Sequence, residues 1–251
     1  MKRIKLFIIL ACISLTGYAK TLPVRPDQAP SSKSHTILID VNHNQKFWNN
    51  PETMKGGDIN RVKYMTGELV KSVETLDAAI GYLNEEIKPD NLKGCDVLFI
   101  HVPSSKYSEG ETKAITQYLK KGGSLFMVMD EDYWSTLKLT NVNDIISPFG
   151  MHFEGMIPDS ISGGHTISGT ITSQALKIPY SGGRVVKGGT PFCFSNDSEG
   201  YPFGVFKKLE NGGKIIIMGD GMVSLFMTSW AGVSGYQCRE FMHGVFKWLL
   251  E

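Results

Sequence analysis

Acidic and imidazole side chains follow several apolar runs in this sequence. In the stretch ILIDVNHNQKFW, the apolar run ends at Asp40, and His43 comes three residues later. A carboxyl group close to an imidazole or to a second carboxyl group can perform general acid–base catalysis. The separation of two such carboxyl groups would decide a hydrolytic mechanism, and the sequence does not fix it. The candidate catalytic residues at such positions are Asp40, His43, Asp130 and Asp220.

Aromatic residues follow three of these acids within ten positions, and three of the four tryptophans of the chain are among them. Carboxylates accept hydrogen bonds from hydroxyl groups, and flat aromatic rings stack on the C–H face of a sugar. This combination indicates a carbohydrate as a possible ligand. The candidate ligand-binding residues are His101, Trp48, Trp134, Trp230 and Asp132.

Each candidate also has a structural interpretation. Asp40 and Asp220 can cap turns or helix N-termini, where acids are favoured. His43 can bond a loop carbonyl group, His101 can be a buried core histidine, and the aromatics can cover the end of the sheet. Mixed carboxylate and imidazole ligands would suit zinc or manganese. Their spacing matches no recognised ligand motif, however, so we predict no metal and no cofactor.

Strand-like apolar runs alternate along the chain with amphipathic helical patterns. Such alternation predicts an α/β fold with a mainly parallel central sheet covered on both sides. Residues 76–87 are ambiguous between a strand and a short helix, and 151–184 predict an irregular β-rich insertion. The predicted strands are 35–40, 95–102, 124–129, 203–209 and 214–218, and the predicted helices are 61–73, 108–121, 141–149 and 237–250.

The predicted strands determine where the candidate residues should meet. Ligands of open α/β sheets bind beyond the carboxyl ends of the strands, near the switch in strand order. Asp40 and His43 should then lie near His101 and form one wall of a ligand pocket. Asp130 and Asp220 should lie close by, at the ends of neighbouring strands.

The N-terminus has the pattern of an export signal. Lys2, Arg3 and Lys5 precede the apolar run 6–15, and Gly17-Tyr18-Ala19 has the small-x-small form of a signal peptidase site. We predict a signal peptide at 1–19, a flexible tether at 20–34, a single domain at 35–251, and a periplasmic or secreted location. The alternative is a lipoprotein anchored at Cys12.

Charge and hydropathy exclude two classes of partner. Removal of residues 1–19 takes three bases from a chain with 26 basic and 25 acidic residues, which leaves a net charge of −2. A chain without basic excess is poorly suited to neutralising phosphates, so we predict no nucleic-acid partner. No run after the signal approaches the roughly 20 apolar residues of a membrane helix, so we also predict no membrane span.

Several motifs resemble a known superfamily. The pattern L-x-G-x-D-V-L-F-I…S-x-G-E-x-x-A-I-x-x-Y-L-x-x-G-G-S-L-F-M-V spans 92–128. Together with Asp40-x-x-His43, the GHTISG segment at 164–169 and the GKI-x-x-x-GD segment at 213–220, it is similar to the class I glutamine amidotransferase-like superfamily. The likeness is greatest to a bacterial branch related to ThuA-like and GIFT-type domains. This resemblance implies a flavodoxin-like three-layer sandwich over about 35–251.

The resemblance implies two different functions. Domains of this branch resemble companions of polysaccharide-degrading enzymes, which implies a glycan-binding or glycan-hydrolysing module. GIFT-type domains instead imply a non-enzymatic protein-interaction domain. True amidotransferases have a cysteine nucleophile at a sharp turn after a strand, whereas Cys95 precedes its strand and Cys193 and Cys238 follow no buried strand. We therefore predict no glutaminase activity.

Overall fold

The structure is a computed structural model that describes residues 33–43, 45–157, 163–197 and 200–251. The predicted signal peptide at 1–19, with Cys12, lies outside the described residues, as does the predicted tether up to residue 32. Among the described residues, no helix has the length and hydropathy required to span a membrane.

The described residues form thirteen strands and four α-helices. The strands are β1 (His35–Asp40), β2 (Ala78–Leu83), β3 (Val97–His101), β4 (Ser124–Val128), β5 (His152–Ile157), β6 (Gly164–Thr166), β7 (Lys177–Ile178), β8 (Gly183–Lys187), β9 (Thr190–Ser195), β10 (Pro202–Lys208), β11 (Lys214–Met218), β12 (Ser229–Trp230) and β13 (Val233–Ser234). The helices are α1 (Ile59–Val73), α2 (Glu109–Lys120), α3 (Val142–Ile146) and α4 (Cys238–Leu250), with short 3-10 helices at Glu74–Leu76 and Ser147–Phe149.

Nine strands form one mixed sheet in the order β2-β1-β3-β4-β11-β10-β9-β6-β7. The first five strands in this order are parallel, and the remaining four pair in antiparallel fashion. The mixed α/β class with a large, partly parallel sheet is thereby confirmed. Because β2 and β3 lie on opposite sides of β1, the strand order switches between β1 and β3.

Local sequence accounts for the start of α2 and for the predicted hairpin. At the start of α2, Ser108 and Glu111 form a reciprocal capping box, in which each side chain accepts a bond from the other residue's backbone N–H. The predicted hairpin is also present, because β10 and β11 pair in antiparallel register. The ambiguous segment 76–87 contains the strand β2 and no α-helix.

The described part of the predicted insertion at 151–184 contains β5, β6 and β7 and the start of β8. Two of them, β6 and β7, extend the main sheet at one edge, whereas β5 and β8 form a separate antiparallel pair. The sequence suggested irregular structure here because the Gly, Ser and Thr residues interrupt any regular period.

The apolar residues form two core clusters, one on each face of the sheet. Residues of α1 and α4 contribute to the first, and residues of α2 and α3 contribute to the second. Cys95, Cys193 and Cys238 are free thiols inside the protein. Burial raises the pKa of Cys95 and Cys238 to about 12 and raises that of Cys193.

Candidate functional site

Asp40 and His43 form a closed cluster at the end of β1. His43 Nδ1 lies 2.8 Å from Asp40 Oδ2, and the Tyr107 hydroxyl donates a 2.7 Å hydrogen bond to that same oxygen. The other imidazole nitrogen, Nε2, lies 3.1 Å from Glu111 Oε1. Tyr107 also stacks on the imidazole, with ring centroids 3.8 Å apart. We call Asp40, His43, Tyr107 and Glu111 the His43 cluster.

Electrostatics in the His43 cluster favour the charged imidazolium. Burial opposes the charge, but the carboxylates of Asp40 and Glu111 outweigh this effect and raise the pKa of His43 above its ordinary value of 6.5. The pKa of Glu111 is lowered, because backbone N–H groups and His43 outweigh the opposing effect of burial. All four residues are buried. Their side-chain polar atoms therefore bond mainly to one another.

The His43 cluster fastens β1 to the start of α2. Glu111 accepts hydrogen bonds from the backbone N–H groups of Ile87 and Ser108, and Asp40 accepts one from that of Asn42. Local sequence patterns do not identify Tyr107 or Glu111 as a partner of Asp40 or His43. The capping box was visible in the sequence and marked Glu111 as a helix-start residue, but its bond to His43 depends on tertiary structure.

A second group of polar residues, His101, Asp130 and Asp220, meets at Gly221. Asp130 accepts hydrogen bonds from the N–H groups of Glu131 and Gly221, at 2.8 and 3.1 Å. Asp220 accepts from those of Ser181 and Met222, at 3.1 and 2.8 Å. A Cβ atom at Gly221 would lie only 2.8 Å from Asp130 Oδ2 and 3.1 Å from His101 Nε2. Only glycine lets these side chains approach so closely.

The charges of this group are suppressed by burial. Burial raises the pKa of Asp130 to about 7, and burial together with the neighbouring charge of Asp130 raises that of Asp220 well above its ordinary value. Burial also lowers the pKa of His101 to about 3, so its imidazole is neutral at physiological pH. Two carboxyl groups in mutual repulsion do not both ionise readily.

His101 forms a buried pair with Ser224, which sequence analysis did not identify. His101 Nε2 lies 2.9 Å from Ser224 Oγ, and this hydroxyl donates a 2.8 Å hydrogen bond to the Gly221 carbonyl oxygen. Both side chains are fully buried. The hydroxyl is therefore engaged in holding the loop after β11 and is shielded from substrates.

A cleft of about 690 Å³ opens above Asp130, at the carboxyl ends of the strands. We call it the edge cleft. Asp130 lies at its floor with 5% of its surface exposed, while Trp134 and Trp230 stand in its walls with 37% and 42% exposed. The other lining residues are Lys46, Phe47, Met54, Asp58, Arg61, Val62, Glu131, Tyr133, Ser181, Met222, Leu225 and Met227.

The structure thus divides the predicted site residues between two regions. Asp130, Trp134 and Trp230 line the edge cleft, and Asp220 and His101 lie behind it, next to Gly221. Asp40 and His43 do not line this cleft, and their hydrogen bonds are to neither His101 nor the other predicted acids. The single pocket wall expected from the sequence is therefore corrected, because Tyr107 and Glu111 enclose the pair.

Two further ligand-binding predictions have structural partners instead. Trp48 is 1% exposed and packs edge to face against Phe99, with ring centroids 5.5 Å apart. Asp132 forms an ion pair with the buried guanidinium of Arg184, which joins the loop after β4 to β8. Trp48 is therefore enclosed in the core, whereas Asp132 keeps an exposed side chain beside its ion pair.

The backbone directly after β3 is strained. Val102 has a φ of 45°, a left-handed conformation that is a true outlier for a β-branched residue. Such strain often accompanies functional sites, and a sharp turn after a strand is where a nucleophile can be presented. Here the strained residue has an apolar, fully buried side chain.

In the described part of the chain, no group of three His, Cys, Asp or Glu residues could hold a metal ion.

Comparison with known proteins supports the fold and one family likeness. A family model described as the IFT52 GIFT domain matches residues 62–161, which is less than half of the chain. No curated protein sequence is significantly similar to this chain. The N-terminal domain of mmIFT52 has a similar structure, with a TM-score of 0.61 and 18% identity, covering 85% of this chain and 96% of that one.

Two bacterial structures share the fold at lower identity. A putative ThuA-like protein from Bacteroides uniformis ATCC 8492 has a TM-score of 0.51 and 12% identity, covering 93% of this chain and 95% of that one. A β-galactosidase from Bacillus circulans sp. alkalophilus has a TM-score of 0.53 and 10% identity. The match covers 86% of this chain but only 31% of that enzyme. The likeness to GIFT and ThuA-like proteins is therefore found, while none of these matches is named as a glutamine amidotransferase.

Proposed function

We propose that this chain is a non-enzymatic protein-interaction module of the GIFT type, which holds a polypeptide segment of a partner in the edge cleft. One observation carries the proposal. The acids that could have formed a catalytic group bond the chain's own backbone and side chains, and Asp130 is the one acid among the four catalytic candidates that faces the cleft. The match to the IFT52 GIFT domain supports the same interpretation.

The walls of the edge cleft have the composition of a protein-binding surface. Aromatic residues, methionine and arginine are enriched in protein interfaces, and tryptophan, tyrosine and arginine dominate their binding energy. Methionine adds a flexible apolar surface that adapts to different partners. The cleft residues of these types are Phe47, Met54, Arg61, Tyr133, Trp134, Met222, Met227 and Trp230.

The described thiols of this chain and its imidazole-paired serine are not accessible as nucleophiles for a hydrolase. The three cysteines at 95, 193 and 238 are buried thiols with raised pKa values. Ser224 has an imidazole partner, but it is fully buried and bonded to a backbone carbonyl group. An acid–base mechanism needs two suitably placed groups, and of the four predicted catalytic residues only Asp130 lines the edge cleft.

A carbohydrate ligand is the second candidate, because one observation favours it. Trp134, Trp230 and the carboxyl group of Asp130 lie in one cleft, as a sugar-binding site requires. The fold likeness to part of a β-galactosidase is compatible with this candidate. Nine of the fifteen lining residues are aromatic or apolar, however, and this composition favours a polypeptide segment over a sugar.

A two-probe binding experiment separates the candidates. The purified protein is used to select from a library of random twelve-residue peptides, and it is also tested against a panel of plant and bacterial oligosaccharides. We expect selected peptides with apolar anchors whose affinity falls at least about tenfold in Trp134→Ala/Trp230→Ala, since central aromatics dominate binding energy. Ile167→Ala, at a similarly exposed apolar residue outside the cleft lining, is the matched control.

Two results of this experiment would overturn the protein-interaction proposal. Binding of an oligosaccharide that the double tryptophan variant abolishes, without any peptide of this behaviour, overturns the protein-interaction proposal in favour of the glycan candidate. Peptides whose affinity is unchanged by the double variant also overturn it, because their site would then lie elsewhere.

We further propose that the module works outside the cytoplasm, in the periplasm or after secretion. The basic and apolar pattern of residues 1–19 supports this location. N-terminal analysis of native material is expected to begin at Lys20. Acylation at Cys12 would instead indicate a lipoprotein, and an intact N-terminus at Met1 would contradict export.

A further inference from the structure

Strand β2 forms one edge of the nine-stranded sheet, and its sequence, AAIGYL, contains no charge and no proline. Natural edge strands are usually protected by lysine, proline, bulges or a covering element, because an unpaired edge can bind another strand. The pairing of β2 with β1 is continuous over six residues, from His35↔Ala78 to Asp40↔Leu83. Strand β2 therefore has no charged residue, proline or β-bulge that would hinder the binding of another strand.

The outer side of β2 offers backbone groups for pairing. In a parallel pair, alternate residues direct their N–H and C=O groups toward the neighbouring strand, so the others direct theirs outward. Within the part of the chain that the structure describes, β2 pairs with β1 only. No described side chain is seen to bond the outward backbone groups of Ala78–Leu83.

A groove of about 220 Å³ runs beside this edge, between β2 and α1. We call it the β2 groove. Ala78, Ile80 and Tyr82 line it from the strand, as alternating residues on one face must. A hydrogen bond of 3.0 Å between the hydroxyls of Tyr82 and Thr66 holds the helix beside the strand. The remaining lining residues are Pro51, Glu52, Val70 and Val73.

A groove between an edge strand and a helix suits an added strand. In such recognition, backbone hydrogen bonds supply affinity and pockets select alternate side chains. Val70 of α1 is apolar and 50% exposed, so it is available to contact a side chain of an incoming segment. The centre of that segment should be apolar and β-branched, because such residues favour strands.

Acidic residues around the β2 groove specify the ends of the incoming segment. Glu74 and Asp77 precede β2, and Glu85 and Glu86 follow it, while Glu52 lies in the groove lining. Two of these five acids have partners, in the ion pairs Lys33–Asp77 and Lys88–Glu86. A second copy of β2 added in antiparallel fashion would bring acids against acids, which is unfavourable.

We infer that the β2 groove is a docking site for an extended segment of another protein, with an apolar centre and lysine or arginine at both ends. The segment binds as a tenth strand beside β2, and its basic ends meet the acids at the two ends of β2. This site is separate from the edge cleft and does not depend on the function proposed there.

Fluorescence anisotropy with a defined peptide tests the inference. The probe is a labelled peptide of sequence KKTVTITVTVKK, and the comparison peptide has glutamate in place of the four lysines. We expect the basic peptide to bind the wild-type protein and the acidic one to bind at least about tenfold more weakly, since opposite charges favour the pairing. Hydrogen exchange should slow at backbone amides of Ala78–Leu83 when the basic peptide is bound.

Matched variants locate the binding. Val70→Gln leaves the net charge of the protein unchanged but makes the groove more polar, and it should weaken binding at least about fivefold. Leu139→Gln, at an exposed apolar residue elsewhere, should leave binding unchanged. The Trp134→Ala/Trp230→Ala variant should bind the peptide as wild type does, which separates this test from that of the edge cleft. Equal binding by Val70→Gln overturns the inference, as does a failure of the basic peptide to bind. A dimer of the protein that Val70→Gln dissociates would overturn it in favour of a second copy.

Discussion

Asp40, at the end of β1, and Asp130, two residues beyond the end of β4, point to the same edge of the sheet but have different surroundings. Asp40 is buried against an imidazole whose charge it stabilises, together with the hydroxyl of Tyr107. Asp130 is buried beside a second acid, and its floor position leaves a small exposed surface in the edge cleft. Asp40, paired with the imidazolium of His43, stabilises the fold. Asp130 has a pKa raised to about 7, so its charge in the edge cleft changes near neutral pH.

The same contrast holds for the tryptophans. Trp48, eight residues after Asp40, is enclosed in the core, while Trp134, four residues after Asp130, stands in the wall of the cleft. Sequence spacing from an acid therefore does not determine exposure. The loop after β1 places Trp48 against Phe99 in the core, whereas the loop after β4 leaves Trp134 partly exposed in the cleft.

The largest expected effect is on the His43 cluster. Asp40→Ala would leave the imidazolium of His43 and the hydroxyl of Tyr107 buried without their shared acceptor. We expect the free energy of unfolding to fall by about 3–5 kcal/mol, the usual cost of breaking a buried ion pair. Urea unfolding measures this, with Tyr107→Phe as a milder control that removes one hydrogen bond at about 1 kcal/mol. A loss below that of Tyr107→Phe would contradict the structural role of Asp40.

Truncation of Trp48 should have a similarly large effect. Trp48→Ala removes a fully enclosed side chain packed on Phe99, and buried aromatic truncations cost about 3–5 kcal/mol. Thermal or urea unfolding of the variant provides the measurement. If Trp48→Ala were as stable as wild type, Trp48 would have to lie in an open site, and the contrast between the two loops would disappear.

A pH-dependent effect should distinguish Asp130 from Asp40. The folded protein holds the Asp130 proton to a pKa of about 7, against an ordinary value of 3.8. The stability that this proton contributes is present in full below the ordinary value and is lost as the pH rises toward the folded value. The difference in unfolding free energy, wild type minus Asp130→Asn, should therefore decrease between pH 4 and 6, by up to about 1.4 kcal/mol per unit.

His43 contributes to stability in a different pH range from Asp130, so the two effects can be measured separately. Its pKa is raised above 6.5, so its contribution to stability is complete below 6.5 and is lost at higher pH. Urea unfolding of wild type, Asp130→Asn and His43→Gln at several pH values gives both differences. Parallel curves for wild type and Asp130→Asn from pH 4 to 6 would show that Asp130 ionises normally.

The smallest expected effect is on the stability of the cleft walls. Trp134→Ala and Trp230→Ala remove side chains that are more than a third exposed, so each should change the unfolding free energy by only about 0.5 kcal/mol. Their effect should appear in ligand binding instead. A loss of several kcal/mol at either position would mean that it supports the fold as Trp48 does.

Much of the architecture could be predicted from the sequence. The apolar runs that became β1, β3, β4 and β11, and the capping box of α2, depend on local patterns that are retained in the folded chain. The candidate site was less predictable. Of the acids at strand ends, Asp130 faces a cleft, while Asp40 and its partner His43 are enclosed by Tyr107 and Glu111, which lie more than sixty residues away in sequence.

The sequence by itself determined the alternation of strands and helices, the polar character of the strand ends and the absence of a cysteine in a nucleophile position, because period and side-chain chemistry are local properties. Only the tertiary structure decided which acids are enclosed, which tryptophans are exposed and that β2 lies at an edge. These outcomes depend on which distant elements pack against each strand end, and that packing arises from contacts across the whole sheet.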